Sequence, residues 1–154
     1  MRIFAVALLG SLLCGGCLLN NINSGQKLSE RVQEYSDATR WNRLDLAVHM
    51  VSPSYRDAFV QTHSGWGRAI EVADSEVLHI QMGTDGQSAT STLAYSWYDL
   101  SAMTLARTVV RQTWDLRDGF HVMDEIVIEG SPQLLPAPPP ADDESEPDQL
   151  ASAP

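Results

Sequence analysis

Two cysteines, Cys14 and Cys17, spaced as Cys-Gly-Gly-Cys, are the first residues whose types and spacing suggest chemistry. Such a pair is redox-active when it opens a helix beside a folded sheet, because the helix N-terminus stabilises the thiolate. Here it instead closes an apolar run from Ile3 to Leu13 that follows Arg2. That run of 11 residues is too short to span a bilayer, which takes about 20, and it reads as a signal peptide over residues 1–16. A second candidate is Asp124. In the segment from Phe120 to Glu129, Phe120, Val122, Ile126 and Ile128 share one strand parity, and Asp124 falls among them. A carboxyl on an apolar face is pushed towards its neutral form, which suits a general acid or base; an arginine partner, exposure at a pocket mouth or a bulge turning it outward are the structural alternatives. Gln112 and Trp114 fall on the apolar parity of the preceding segment, with Ala106, Val110 and Leu116. Asp124, Gln112, Trp114 and Phe120 are therefore the predicted pocket-lining set. His49, His63, His79 and His121 are not paired at metal-ligand spacing, and the sequence holds neither a Gly-x-Ser-x-Gly elbow nor a phosphate loop, so no metal or cofactor is predicted.

Gly15-Gly16-Cys17 resembles the bacterial lipobox, in which small residues precede the cysteine that receives diacylglyceryl. Cys14 stands where that pattern usually has Leu. The resemblance implies cleavage before Cys17 and attachment of palmitate-type acyl chains to it. Two or three chains, at about 0.8 kcal/mol per buried methylene, anchor a protein stably. Leu18 after the anchor resembles the outer-membrane sorting pattern, which implies a periplasm-facing domain in the cell envelope. Residues 17–26 then form a tether.

Charge and composition frame what lies between the anchor and the C-terminus. The formal net charge is −10, and residues 27–130 hold nine basic and fifteen acidic side chains, unlike the basic footprint of a nucleic-acid binder. Residues 131–154 carry seven of the eight prolines, five acidic residues and no Lys or Arg, which predicts an acidic, Pro-rich disordered tail. About a hundred residues remain for one domain, 27–130.

In that domain, Leu28, Val32 and Tyr35 follow helical spacing from Lys27, and Leu44, Ala47, Val48 and Val51 suggest a second helical piece. Ser52-Pro53 is a helix-start signal for a third, burying Tyr55, Ala58, Phe59 and Thr62 and ending near Gly65. After Gly67 the period becomes two. Strands are predicted over 70–82 (interrupted near Asp74), 88–98, 104–116 and 120–129, joined by short turns, so the sheet is antiparallel. Tyr95, Trp97 and Tyr98 alternate across it, and an aromatic left on its outer face would suit a partner surface. Trp66, between Gly65 and Gly67, is open to two readings: a recognition aromatic, or a plug at the helix-to-sheet junction. The fold class is α+β, with N-terminal helices packed on a curved antiparallel sheet of about four strands.

This order, with Arg40-Trp41-Asn42-Arg43, Leu93-Ala94-Tyr95-Ser96-Trp97-Tyr98, Arg111-Gln112-Thr113-Trp114 and Asp118-Gly119-Phe120-His121-Val122, resembles the nuclear transport factor 2-like family. The resemblance covers nearly all of residues 27–130. It implies a cone whose helices cover the concave face of a bent sheet, a pocket inside the cone, and dimers formed through sheet faces. The expected function is a membrane-anchored, non-catalytic binding or accessory module for an envelope protein partner or a small apolar ligand. Two alternatives stand beside it: an enzyme of the same cone with Asp124 as general acid or base, and a structural lipoprotein acting through its acidic tail.

Overall fold

A computed structural model describes residues 24–117 and 119–137. The signal segment, Cys17, the first part of the tether and residues 138–154 lie outside the described residues.

Helix α1 (Ser24–Arg40) begins three residues before the expected start and buries Leu28, Val32 and Tyr35, one stripe at i, i+4 and i+7. It ends on Asn42, whose φ of 52° lets the Arg43 amide reach back to the Ala38 carbonyl (2.7 Å) and the Asn42 amide to Thr39 (3.1 Å). This is a Schellman closure, with Asn in place of the usual glycine. Helix α2 (Leu44–Ala47) continues as a 3₁₀ turn, Val48–Met50, but Val51 leaves the helical path and bridges Val122 in parallel. Ser52 Oγ does accept from the Tyr55 amide, at 3.2 Å. Residues 53–55 nevertheless form a turn, and helix α3 runs only over Arg56–Thr62.

Four strands follow, β1 (Ile70–Met82), β2 (Ser88–Asp99), β3 (Thr104–Asp115) and β4 (His121–Gly130), within a residue or two of the expected spans. They pair antiparallel in sequence order. Register shifts bend the sheet, two in the β1–β2 ladder and two in the β3–β4 ladder. The first lies at Val72/Asp74, where the sequence predicted an interruption.

The bulges in β4 change which side chains face the helices. Thr113 pairs with Asp124 but Trp114 pairs with Val122, so Met123 is the extra residue and the strand's parity reverses beyond it. Val122, Glu125 and Val127 point inward, whereas Asp124, Ile126 and Ile128 are exposed. Sequence parity had put Ile126 and Ile128 in the core and Glu125 outside; the bulge exchanges them. The inner face of the sheet, with Leu93, Tyr95, Trp97, Val110 and Trp114, packs on α1 and α3 to make one core.

That core does not stop at residue 130. Gly130, at φ 91°, turns the chain inward against the Arg107 backbone, where any Cβ would collide. Pro132–Leu134 then forms a 3₁₀ turn whose Leu134 is fully buried. The first residues assigned to the tail thus belong to the folded body.

Candidate functional site

The interior of the cone is built around one carboxylate. Glu125, brought inward by the β4 bulge, accepts through Oε1 from the Tyr35 hydroxyl of α1 (2.9 Å) and from Gln112 Nε2 of β3 (2.8 Å). Gln112 Oε1 accepts from Ser91 Oγ (2.7 Å), and Ser91 Oγ accepts from Trp114 Nε1 (2.9 Å). A chain of donors therefore runs from β2 through β3 to the carboxylate on β4, and each member is buried.

The other oxygen, Oε2, accepts no hydrogen bond among the described residues and faces His63 Nε2 at 3.5 Å. His63 Nδ1 lies 2.9 Å from the Phe59 carbonyl. Thr62 Oγ1 lies 3.1 Å from the same nitrogen. A ring protonated on Nδ1 donates to the Phe59 carbonyl, whereas a ring protonated on Nε2 accepts from Thr62 and turns its N–H towards Glu125. Burial holds His63 below its ordinary range, opposed by the Glu125 charge and by the Phe59 carbonyl. Burial, and then Glu125, raise Tyr35 well above the ordinary tyrosine range; Tyr95 is raised for the same two reasons, in the same order.

A carboxylate with a phenol donor on one oxygen and an imidazole on the other has the parts for acid–base chemistry. Access decides what the parts can do. The side chains of His63 and Glu125 are each 1% exposed. Phe59 and Trp66 stack on the His63 ring at 4.1 and 4.6 Å between centroids. Leu134, itself fully buried, holds Trp66 in turn, its carbonyl accepting from Trp66 Nε1 at 2.8 Å. Trp66, with 4% of its surface exposed, is therefore the plug of the two readings and not a free recognition aromatic.

The predicted pocket set divides on this geometry. Gln112 and Trp114 come together through Ser91 inside the cone. Phe120 is half-buried at the turn into β4, with φ 61°, and packs against the core rather than lining an interior cavity. Asp124 is exposed on the outer face beside Thr113, which removes it from the cone. Glu125, His63 and Tyr35 hold the position proposed for it. One signal in the sequence pointed that way: Val127 lies on the parity of Glu125, so β4 carries apolar residues on both parities, as a bulged strand does.

Outside the cone, apolar side chains reach the surface at several places, Val60 on α3, Leu78 on β1 and Met103 in the β2–β3 turn among them. On the outer sheet face, Tyr98 and Leu105 pair directly across β2 and β3, and Ile126 and Ile128 lie exposed on β4. At the end of α1, Trp41 is 69% exposed. It separates a cleft of about 170 Å³, shared with Trp66 and Val72, from one of about 420 Å³ between α1 and α2. Among the described residues no group of His, Cys, Asp and Glu is disposed to hold a metal ion.

No family model matches the chain, and no curated protein sequence matches it. Among solved structures, the chain is similar to a candidate polyketide cyclase from Xanthomonas campestris pv. campestris, with a TM-score of 0.54 over 68% of this chain and 91% of that one. The identity is 11%, so what is shared is the fold. The intermembrane space region of the chloroplast protein ARC6 aligns over 68% of this chain and 93% of its own length at 13% identity, with a TM-score of 0.36. The chain therefore has the α+β architecture of that cyclase-like neighbour, helices laid over a bent, open, four-stranded antiparallel sheet.

Proposed function

We propose that this chain is an envelope lipoprotein, anchored through Cys17 to the periplasmic side of the outer membrane, whose nuclear transport factor 2-like domain is a non-catalytic binding module for a protein partner. One observation carries the binding half of this reading. The polar cluster that a catalytic cone would offer to substrate is buried, with His63 and Glu125 each 1% exposed and Phe59 and Trp66 against the His63 ring, while free apolar surface lies outside, at Trp41, Tyr98 and Leu105. A sealed Glu125–His63 pair is what remains when such an interior serves packing. Fold analogy to a cyclase-like neighbour does not change this, because fold alone carries no chemistry.

The enzyme alternative survives only in altered form, with Glu125 in the role first given to Asp124, because Tyr35 and His63 flank Glu125. It requires the buried Glu125–His63 pair to become accessible to substrate.

The test compares surface and interior on native membranes. A photocrosslinker at Leu46 or Leu105 is expected to give a discrete adduct, and Glu125→Gln, which keeps the shape of the buried side chain, is expected to leave its yield unchanged. Loss of the adduct in Glu125→Gln alone would turn the reading towards the interior. In parallel, Cys17→Ala is expected to abolish the acyl label and release or strand the protein; normal processing and membrane retention in that variant would remove the anchor.

A further inference from the structure

The groove between α1 and α2 is a two-helix cradle. Glu34, Asp37 and Ala38 of α1, with Trp41 just past its end, occupy i, i+3, i+4 and i+7, one face of the helix; Leu46 and Met50 supply the opposite wall. Its floor is apolar, and on the α1 side its rim is acidic. Glu34 and Asp37 are exposed, and among the described residues their carboxylates are engaged by the neighbouring Arg31 (3.0 Å) and Gln33 (3.2 Å) of the same helix. At the far end Arg43 is drawn aside by Asp45 (3.3 Å). Surface pairs of this kind hold their partners weakly and yield to a better-placed cation.

Trp41 stands on a well-held stretch of backbone. It is the last residue before the Schellman closure at Asn42, and the Asn42 side chain seats against Gly67, whose φ of 75° and missing Cβ make room for it. Arg40 covers one side of its ring at 5.2 Å. An exposed indole presented beside an apolar cleft is the commonest kind of interface anchor.

Position and charge choose the occupant. Helix α1 has 17 residues, about 25 Å, and its first residue follows Cys17 by only seven positions. An anchor at Cys17 would tether the N-terminal end of α1 to the bilayer, and Trp41 lies at the other end of that helix. Five carboxylates, of Glu34, Asp37, Asp45, Glu71 and Asp74, surround the Trp41 end of α1 against Arg31, Arg40 and Arg43. This balance disfavours both anionic lipid headgroups and the chain's own acidic residues 142–148.

We infer that this groove receives an amphipathic, cationic helix of a protein partner, with an apolar side chain set against Trp41 and Ala38 and a Lys or Arg on Glu34 and Asp37. The inference rests on the partner-module reading and assigns that module its surface and the chemistry of its ligand.

The test uses the full-length chain in a non-ionic detergent and two synthetic amphipathic helices of equal length, one of Leu and Lys, the other of Leu and Glu. Trp66, Trp97 and Trp114 are buried (4%, 1% and 1% exposed) and Trp41 is not (69%), so an emission shift with protection from acrylamide reports Trp41. The Leu/Lys helix is expected to bind at least about tenfold more tightly than the Leu/Glu helix, and Trp41→Ala to weaken it by about tenfold, as loss of an interface anchor does. Asp37→Asn is expected to weaken it severalfold, and Glu129→Gln, on the outer sheet face, to leave it unchanged. Equal binding of the two helices, an unaffected Trp41→Ala, or an equal loss in Glu129→Gln and Asp37→Asn would each overturn the assignment. Selection of the basic helix with an unmodified Cys17 would leave the groove standing and remove the anchor. An acylated Cys17 with no selection would remove only the groove.

Discussion

The cone interior and the Trp41 groove are made from the same residue types, with opposite results. Each sets an aromatic residue beside a carboxylate, Tyr35 beside Glu125 in one and Trp41 beside Asp37 in the other. Inside, the carboxylate is held by two donors from two other elements and lies out of contact with water. In the groove, carboxylate and indole belong to one helix face and stay wet. The difference lies in what covers them: the interior is closed by α3 and by Trp66, while nothing among the described residues lies over the end of α1. Chemistry-bearing side chains do not by themselves make a reactive site; coverage decides whether a polar group serves stability or recognition.

The comparison is most sharply broken at Glu125. Glu125→Ala leaves Tyr35 OH and Gln112 Nε2 as buried donors without an acceptor, and it is expected to lower stability by about 3–5 kcal/mol, the range for stripping one partner from a buried charged cluster. Glu125→Gln should cost much less. A denaturant midpoint for Glu125→Ala within error of the natural protein would mean that water reaches the cluster and the cone is open.

Next in size is Leu134. Leu134→Ala removes a fully buried side chain from the core and should cost about 2–4 kcal/mol, with Trp66 emission shifting red as its hydrogen-bond partner loosens. If this variant also gained affinity for small apolar probes, the turn would be a displaceable lid and the interior a usable pocket.

A third test separates the regions by pH. Because burial lowers His63 in the folded chain, the unfolded chain takes up its proton more readily, and folding stability falls as pH drops below the unfolded value of about 6.5. Above that pH the contribution is flat. His63→Asn should remove the slope between about pH 6.5 and the lowered folded value, whereas Asp37→Asn should leave it intact. A slope that persists in His63→Asn would place its origin in another group.

What the sequence showed and hid follows from the range of the forces involved. The strands, the helical stripe of α1 and the bulge near Asp74 were legible because periodicity and turn chemistry are local. The inward face of β4 was not. A single extra residue at Met123 reverses parity; the apolar residues on both parities of β4 hint at a bulge, but where it falls depends on how β3 and β4 pair. That one residue separates Asp124, chosen for chemistry, from Glu125, which occupies the cone. Leu134 was hidden for another reason: it sits in a composition that reads as tail, and only Trp66, 68 positions away in sequence, gives it a place inside. Gln112 and Trp114 were found because β3 is unbulged between them, so their parity holds.

The smallest expected effect bears most directly on the groove. Trp41→Ala removes a large side chain that packs on little, and its stability should stay within about 0.5 kcal/mol of the natural protein, as for surface substitutions that break no special contact. Its acrylamide quenching should fall to the level of the three buried indoles. A loss of 2 kcal/mol or more, about the cost of a core truncation, would show that Trp41 is structural and that the α1 end depends on it. An unchanged fold together with lost peptide binding is the combination that only a recognition surface produces. The interior behaves the other way, since there a change of the same chemical kind cannot alter binding without first altering the fold.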